Sequence, residues 1–218
     1  MDMPPARLDA TPRVEIAIMA RAPLPGQAKT RLIPRLGTDG AARLQGWLLA
    51  RTVATAAEAD LGPVVLWCAG PPDHPDFRQC LGAGKVSLQV QPAGDLGVRM
   101  AAAAAAAKSP GGVLIIGTDC PMLTPALLRE AAAALSAHDA VVFPAEDGGY
   151  VLIGMRRLAP ELFAGIEWST ERVMAQTRER LLSLGWSWTE PATLWDVDRP
   201  ADYERLAMLA WPDGRRPF

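Results

Sequence analysis

The chain of 218 residues is long enough for one sizeable α/β domain, and half of its residues are hydrophobic. A formal net charge of -2 does not favour wholesale binding to nucleic acid or to an anionic membrane, so any anion must bind to a local cluster of cations. No apolar run approaches the roughly 20 residues of a membrane-spanning helix. Three cysteines without a C-x-x-C pair are typical of free thiols in a reducing compartment, so we expect a cytoplasmic protein.

One domain is predicted to occupy most of the chain. Residues 1–13 are rich in proline and carry alternating charges without an apolar core, so we expect a disordered tail. Residues 14–210 are assigned to a single domain, and residues 211–218 to a short C-terminal tail. No internal repeat or interdomain linker is evident.

Strand-like apolar runs alternate with helix-like stretches along this domain. Strands are predicted at Val14–Ala20, Pro63–Ala69, Val86–Gln91, Gly112–Gly117, Ala140–Pro144, Tyr150–Met155 and Trp186–Trp195. Helices are predicted from Thr38 to about Asp60, over Asp73–Cys80 and Asp95–Lys108, from Thr124 to Ala137, from Ser169 or Thr170 to about Leu184, and over Pro200–Leu209. The alternation predicts a three-layer α/β/α fold with a mostly parallel sheet, in which only the Tyr150 strand, reached by a turn, is antiparallel.

The segment that follows the first strand, residues 22–31 (APLPGQAKTR), has the composition of a phosphate-binding loop. It offers backbone N–H groups in a Pro/Gly loop, and it adds the cations Lys29 and Arg31 at a strand's carboxyl end, where ligands bind in open α/β sheets. Ala28 precedes Lys29, so the loop is not a Walker A motif. An ordinary connection with solvated side chains is the alternative. In the functional interpretation, Lys29 neutralises an α- or β-phosphate and Arg31 clamps a second pair of oxygens.

Three carboxylates follow predicted strands. Asp119 comes directly after the most apolar strand, and Asp196 and Asp198 come after the last one. Mg²⁺ takes one or two carboxylates together with substrate phosphate oxygens, so these residues suit a metal site. The alternatives are a turn at Asp119 before Pro121 and a helix cap at Asp198.

Two glycine-containing segments leave backbone open to a substrate. Residues 146–150 (EDGGY) form the standard hairpin signal, and Gly148 and Gly149 also permit close approach of a ligand. Residues 91–99 (QPAGDLGVR) either start a helix or form a base-recognition or acceptor loop around Gly94 and Gly97. Cys120 is interpreted as a small buried residue.

The ordered set of motifs resembles one family. APLPGQAKTRL, QPAGDLGVRM, GTDCPMLTPALL, FPAEDGGYVLIG, LFAGIEWST and WDVDRPADYERL resemble the bacterial radical-SAM/selenodomain-associated transferases, which belong to the nucleotide-diphospho-sugar transferase superfamily with a GT-A-like fold. A more distant likeness is to the guanylyltransferases that act on phospholactate or phosphoenolpyruvate, and to molybdenum-cofactor nucleotidyltransferases. The resemblance runs from about Val14 to Leu206.

The resemblance implies a site with three parts. The nucleotide side comprises Ala22, Pro23, Gly26, Lys29 and Arg31, to which the open backbone at Gly94 and Gly97 is added. The metal side, for Mg²⁺ or Mn²⁺, comprises Asp119, Asp196 and Asp198, and the acceptor side comprises Gly148, Gly149, Ser169 and Thr170. Many relatives carry a further cation where this chain has Gln27.

These features predict a Mg²⁺-dependent nucleotidyltransferase in which Lys29, Arg31 and Asp119 are catalytic. It would transfer NMP from an NTP to a small phosphorylated or carboxylate acceptor, with release of pyrophosphate and with no nucleic-acid or membrane partner. A glycosyltransferase using a nucleotide-diphospho-sugar is the alternative, although the usual compact D-x-D is here Gly117-Thr118-Asp119, with one carboxylate. A non-catalytic nucleotide-binding protein is a third hypothesis.

Overall fold

A seven-stranded sheet forms the centre of the computed structural model, which describes residues 13–82 and 86–209. The strands are β1 (Glu15–Arg21), β2 (Val64–Ala69), β3 (Val86–Val90), β4 (Val113–Ile116), β5 (Ala140–Pro144), β6 (Tyr150–Met155) and β7 (Trp188–Thr189). Their order is β3-β2-β1-β4-β6-β5-β7, and only β6 runs antiparallel to its neighbours β4 and β5. The mostly parallel sheet and the antiparallel Tyr150 strand are therefore confirmed.

Six α-helices cover the sheet in the described part of the chain: α1 (Ile33–Ala59), α2 (Pro75–Cys80), α3 (Leu96–Ala106), α4 (Pro125–Ala134), α5 (Val173–Ser183) and α6 (Pro200–Met208). Side chains cap two of these helices at their N-termini, because Asp95 accepts from the Val98 amide in α3 and Thr124 accepts from the Leu127 amide in α4. Helix α1 is interrupted at Gly37, whose φ of 70° and ψ of 170° are not helical, so its long second part begins next to the predicted start at Thr38 and a short helical segment precedes it.

The sheet separates two apolar layers. Alternate residues of β1 point to opposite faces, so Ile16 and Ile18 pack with α1, α2 and α4, whereas Ala17 packs with α3 and α5. A third cluster joins α1 to α6 through Trp195 and Val197. This cluster fixes the segment that carries Asp196 and Asp198.

Two predicted elements are shorter than expected. The strand predicted at Trp186–Trp195 is reduced to β7 and an isolated bridge between Ala145 and Leu194, because Pro191 interrupts it and offers no N–H. Helix α5 begins at Val173, since Ser169 is left-handed with φ 67°.

The expected tails at residues 1–12 and 210–218 lie outside the described residues. Within the described part of the chain, no helix has both the length and the apolar character that crossing a bilayer requires.

Candidate active site

A cavity of about 490 Å³ lies along the carboxyl edge of the sheet, where β1, β2, β3 and β4 end. This is the edge at which open α/β sheets bind ligands. Four charged residues of the predicted site line it, and Ser169 also contributes; the four are Lys29, Arg31, Asp119 and Asp198.

The loop after β1 is built around a tight turn. The Gln27 amide donates to the Leu24 carbonyl at 3.0 Å across Pro25 and Gly26, and Gly26 has φ 77°. Proline followed by a left-handed glycine is the signature of a type II turn, so this local structure follows from the sequence. The turn leads to Lys29, which is itself left-handed, with φ 47° and ψ 45°.

Lys29 turns inward at the end of this loop. Only 3% of its side chain is exposed, and its ammonium lies 2.8 Å from Oδ1 of Asp119. It also donates to the carbonyl of Val197. The predicted phosphate cation and the predicted metal carboxylate are thus direct partners, and Lys29 joins the loop after β1 to the segment before α6.

Polar contacts hold Asp119 from below. Gln45, which is buried on α1, donates to Oγ1 of Thr118 at 2.9 Å, and that hydroxyl lies 3.2 Å from Oδ1 of Asp119. The Asp119 carbonyl accepts from the Val197 amide at 2.8 Å. The Asp119 side chain is still 44% exposed, so its carboxylate can meet a ligand.

The second cation of the loop is also paired. Arg31 forms an ion pair with Asp198, and the hydrogen bond to that carboxylate raises the pKa of Arg31. Asp202 in the first turn of α6 accepts from the amides of Asp198 and Arg199 at 3.1 and 2.7 Å. The predicted cap at the start of α6 is therefore made by Asp202, and Asp198 is left to face Arg31.

A smaller cavity of about 160 Å³ adjoins the first at Asp119. Asp147 and Asp196 line it as well. Burial and, to a smaller extent, the negative charges of Asp147 and Asp119 raise the pKa of Asp196 to about 6, although the positive charge of Lys29 opposes the rise. Cys120 also lines this cavity, and burial raises its thiol pKa to about 12, so it is protonated and a poor nucleophile at neutral pH.

The carboxylates suit a metal that is shared with a substrate. Within residues 13–82 and 86–209, no three acidic, histidine or cysteine side chains form a ready-made metal centre. Asp119 and Asp196 nevertheless share the smaller cavity, and Mg²⁺ needs only one or two protein carboxylates when phosphate and water complete its shell. Asp198 does not line that cavity.

The predicted acceptor residues are only partly brought together. Ser169 lines the larger cavity and Gly149 lines the smaller one. Gly148 has φ 90°, and a Cβ there would lie 2.3 Å from the Glu171 carbonyl oxygen, so this glycine serves the packing of the hairpin. The Thr170 hydroxyl donates to the Glu167 carbonyl at 2.8 Å, and Thr170 lines neither cavity.

The other five residues predicted to contact the nucleotide are three residues of the loop after β1 and two glycines at the start of α3. Ala22 and Pro23 are buried, and Gly26 is exposed at the turn. Gly97 is buried, and its surroundings leave no room for a side chain, since a Cβ there would lie 2.7 Å from the Phe163 carbonyl oxygen. Gly94 receives the Arg99 guanidinium Nε on its carbonyl at 3.0 Å. None of these five glycine, alanine and proline positions lines the larger cavity.

Several lining residues were not predicted as site residues from the sequence. Arg21 and Arg99 bring two further cations to the larger cavity, Gln45 supports Thr118, and Asp147 brings a further carboxylate to the smaller cavity. The position of Arg21 at the carboxyl end of β1 could have identified it as a residue of this edge. Asp147 was concealed because Asp-Gly is the usual hairpin signal, which its bond to the Gly149 amide fulfils.

The chain belongs to the bacterial family described as uncharacterized protein conserved in bacteria (DUF2064), whose model matches residues 52–170. A search of curated proteins by sequence finds no match. The expected association with radical-SAM proteins and the likeness to guanylyltransferases stay predictions.

Solved structures share the fold. A protein of Desulfovibrio desulfuricans G20, provisionally described as a nucleotide-diphospho-sugar transferase, is 29% identical with a TM-score of 0.82, over 90% of this chain and 87% of the other. A nucleotidyl transferase of Methanothermobacter is 14% identical with a TM-score of 0.58, over 88% and 95% of the two chains. A CMP:2-keto-3-deoxy-manno-octonic acid synthetase in complex with CTP is 14% identical with a TM-score of 0.54, over 89% and 96%. The chain therefore has the fold of nucleotide-diphospho-sugar transferases and nucleotidyltransferases.

Proposed function

We propose that the protein is a Mg²⁺-dependent nucleotidyltransferase, which transfers NMP from an NTP to a small acidic acceptor and releases pyrophosphate. The observation that carries the proposal is the meeting of two cavities at Asp119. The larger cavity carries cations suited to phosphates, and the smaller one carries carboxylates suited to a metal. A metal-bound nucleotide requires both, side by side.

Each charged residue has a role in this proposal. Asp119 and Asp196 would hold the metal, which would supply charge neutralisation at phosphate oxygens when bound. Lys29 and Arg31 would hold phosphate oxygens next to these carboxylates, and an ionised acceptor oxygen would attack in line without a histidine base. Gly149 and Ser169 would line the acceptor side.

A glycosyltransferase is the second candidate, favoured by the likeness to the protein of Desulfovibrio. In that reaction a nucleoside diphosphate would leave from a sugar. Against it, the residue two before Asp119 is Gly117, so the compact pair of carboxylates typical of sugar transferases of this fold is replaced by one. The arginine-rich cavity also suits a triphosphate better than a diphosphate.

The two candidates release different products. The test incubates the protein with each of the four NTPs or with common nucleotide-sugars, together with small phospho-acids and Mg²⁺, and measures pyrophosphate and nucleoside diphosphate separately. Acceptor-dependent pyrophosphate is expected. Nucleoside diphosphate without pyrophosphate would refute the proposal and support sugar transfer.

Matched variants exclude a contaminating activity. Asp119→Asn should lower the rate at least 100-fold, because the site loses a carboxylate at the junction of the two cavities. Asp73→Asn, an exposed residue that lines neither cavity, should leave it unchanged. Nucleotide binding without turnover, unaffected by Asp119→Asn, would favour a non-catalytic binding protein.

A further inference from the structure

We propose that Arg21 and Arg99 form a second anion subsite in the larger cavity, apart from the Lys29 and Arg31 pairs. It binds an oxyanion of a substrate, either a phosphate of the nucleotide or the acidic group of the acceptor. This inference deepens the proposed function and rests on it for the identity of the ligand. The capture of an oxyanion can be measured without any reaction.

The pairing of charges in the cavity carries the inference. Four cations line it, namely Arg21, Lys29, Arg31 and Arg99. Lys29 is matched by Asp119, and Arg31 is matched by Asp198. Among the described residues, no carboxylate lies within the 4.0 Å of an ion pair from Arg21 or Arg99.

The lining is therefore locally positive. Its two carboxylates, Asp119 and Asp198, leave two of the four positive charges uncompensated, although the whole chain has a formal charge of -2. A cleft lined by one sign of charge concentrates ligands of the opposite sign. The excess resides on Arg21 and Arg99.

The two arginines belong to a firmly built part of the edge. Arg21 is the last residue of β1 and pairs in register with Ala69, the last residue of β2. The side-chain amide of Gln91 donates to the Trp67 and Ala20 carbonyls at 2.8 and 3.3 Å, which ties the ends of β1, β2 and β3 together. The floor beneath Arg21 is thus cross-linked.

Arg99 is positioned from the opposite side. It lies in the first turn of α3, and its Nε donates to the Gly94 carbonyl at 3.0 Å. The two terminal nitrogens of the guanidinium are not used by that bond. A guanidinium held through Nε presents these donors as a fork, the geometry that matches phosphate and carboxylate oxygens.

The test measures binding of inorganic pyrophosphate by calorimetry, in EDTA and at low salt. Arg21→Gln and Arg99→Gln should each weaken binding about tenfold, since a hydrogen bond to a charged group is lost. The pyrophosphate affinity of Arg99→Lys should lie between those of wild type and Arg99→Gln, because lysine keeps the positive charge but lacks the forked pair of donors. Arg13→Gln is the control, since Arg13 is exposed, like Arg21, but precedes β1 at the opposite edge of the sheet.

A second arm identifies the source of the oxyanion. The same variants are titrated with an NTP and, separately, with phosphoglycolate as a small phospho-acid. A loss confined to the NTP assigns the subsite to nucleotide phosphates, and a loss confined to phosphoglycolate assigns it to the acceptor. Either result supports the subsite.

Unchanged binding of all three probes by both glutamine variants would overturn the inference, and so would a wild-type protein that does not bind pyrophosphate. Failure of the proposed function looks different. Arginine-dependent pyrophosphate binding by a protein that releases no pyrophosphate from NTPs would refute nucleotidyl transfer and leave the subsite standing.

Discussion

Replacing Asp196 by asparagine should stabilise the protein at neutral pH and have less effect in acid. Burial and two neighbouring carboxylates raise the pKa of Asp196 to about 6 from a usual value of 3.8. A carboxyl group whose pKa is raised in the folded state favours folding while it is protonated. That contribution is lost as the pH rises from below 3.8 through about 6. Asparagine keeps the shape of the side chain and has no charge to bury.

The size of the effect follows from the pKa. The difference between 3.8 and about 6 corresponds to roughly 3 kcal/mol at 1.36 kcal/mol per pKa unit. Because the side chain keeps partial contact with solvent, screening reduces the expected gain at pH 8 to about 1 to 2 kcal/mol. About 1 kcal/mol of it should develop between pH 4.5 and pH 8. Urea unfolding of wild type and variant at several pH values measures it.

Asp119 provides the contrasting case a short distance away. Its carboxylate compensates the ammonium of Lys29, whose side chain is 3% exposed. Asp119→Asn would leave that charge buried with a carbonyl as its remaining partner. The variant should therefore lose about 2 kcal/mol at neutral pH, less than a fully buried pair because the carboxylate is 44% exposed. The reasoning would be refuted if both variants changed the free energy of unfolding equally and in the same direction. A pH-independent effect of Asp196→Asn on that free energy would also refute it.

Three further variants test how the site is supported, each by urea unfolding against wild type. Arg205→Ala removes a bidentate ion pair with Glu146 at 2.7 and 3.1 Å and the stacking of the guanidinium on the Trp195 ring. It should lower the free energy of unfolding by about 1 to 1.5 kcal/mol. No loss would mean that α6 is held by its apolar cluster alone. Gly148→Ala places a Cβ 2.3 Å from the Glu171 oxygen and should cost at least about 2 kcal/mol, whereas a neutral result would show that the hairpin can shift. Thr124→Ala should cost about 1 kcal/mol through the lost cap, and an unchanged midpoint would contradict this assignment.

The sequence predicted the position of the site better than its internal pairing. The position of Asp119 could be predicted because it follows four consecutive buried residues of β4. Such an apolar strand is typical of the centre of a parallel sheet, so the residues after it lie at the sheet's carboxyl edge. The inward direction of the Lys29 side chain could not be predicted. It depends on the left-handed backbone at Lys29 and on a hydrogen bond to a carbonyl 168 residues away. Residue type indicated a cation, and only tertiary contacts determined its partner.

Asp147 and Asp196 show a second limit of the same kind. A hairpin signal accounts for Asp147 completely at the local level, so nothing in the sequence demanded another role. Asp196 was one of two similar aspartates separated by Val197. Only the structure distinguishes them, because Asp196 lines the smaller cavity whereas Asp198 pairs with Arg31. The segment that carries both aspartates is fixed by the packing of Trp195 and Val197 against α1 and α6, which is a tertiary contact that the local sequence does not reveal.

The matched pairs in the larger cavity bear on which ligand it suits. A simple anion would have to compete with Asp119 for Lys29 and with Asp198 for Arg31, and each released carboxylate would then face the anion. A ligand that carries both signs avoids this cost, because a divalent cation compensates the carboxylates while phosphate oxygens compensate the cations. Pairing within the site therefore favours a metal–nucleotide complex over either component alone. The argument predicts that Mg²⁺ and an NTP bind cooperatively, with each raising the affinity for the other by the same factor. Calorimetric titration of the NTP with and without Mg²⁺, after correction for the complex that forms in solution, tests it, and equal NTP affinities would contradict the argument.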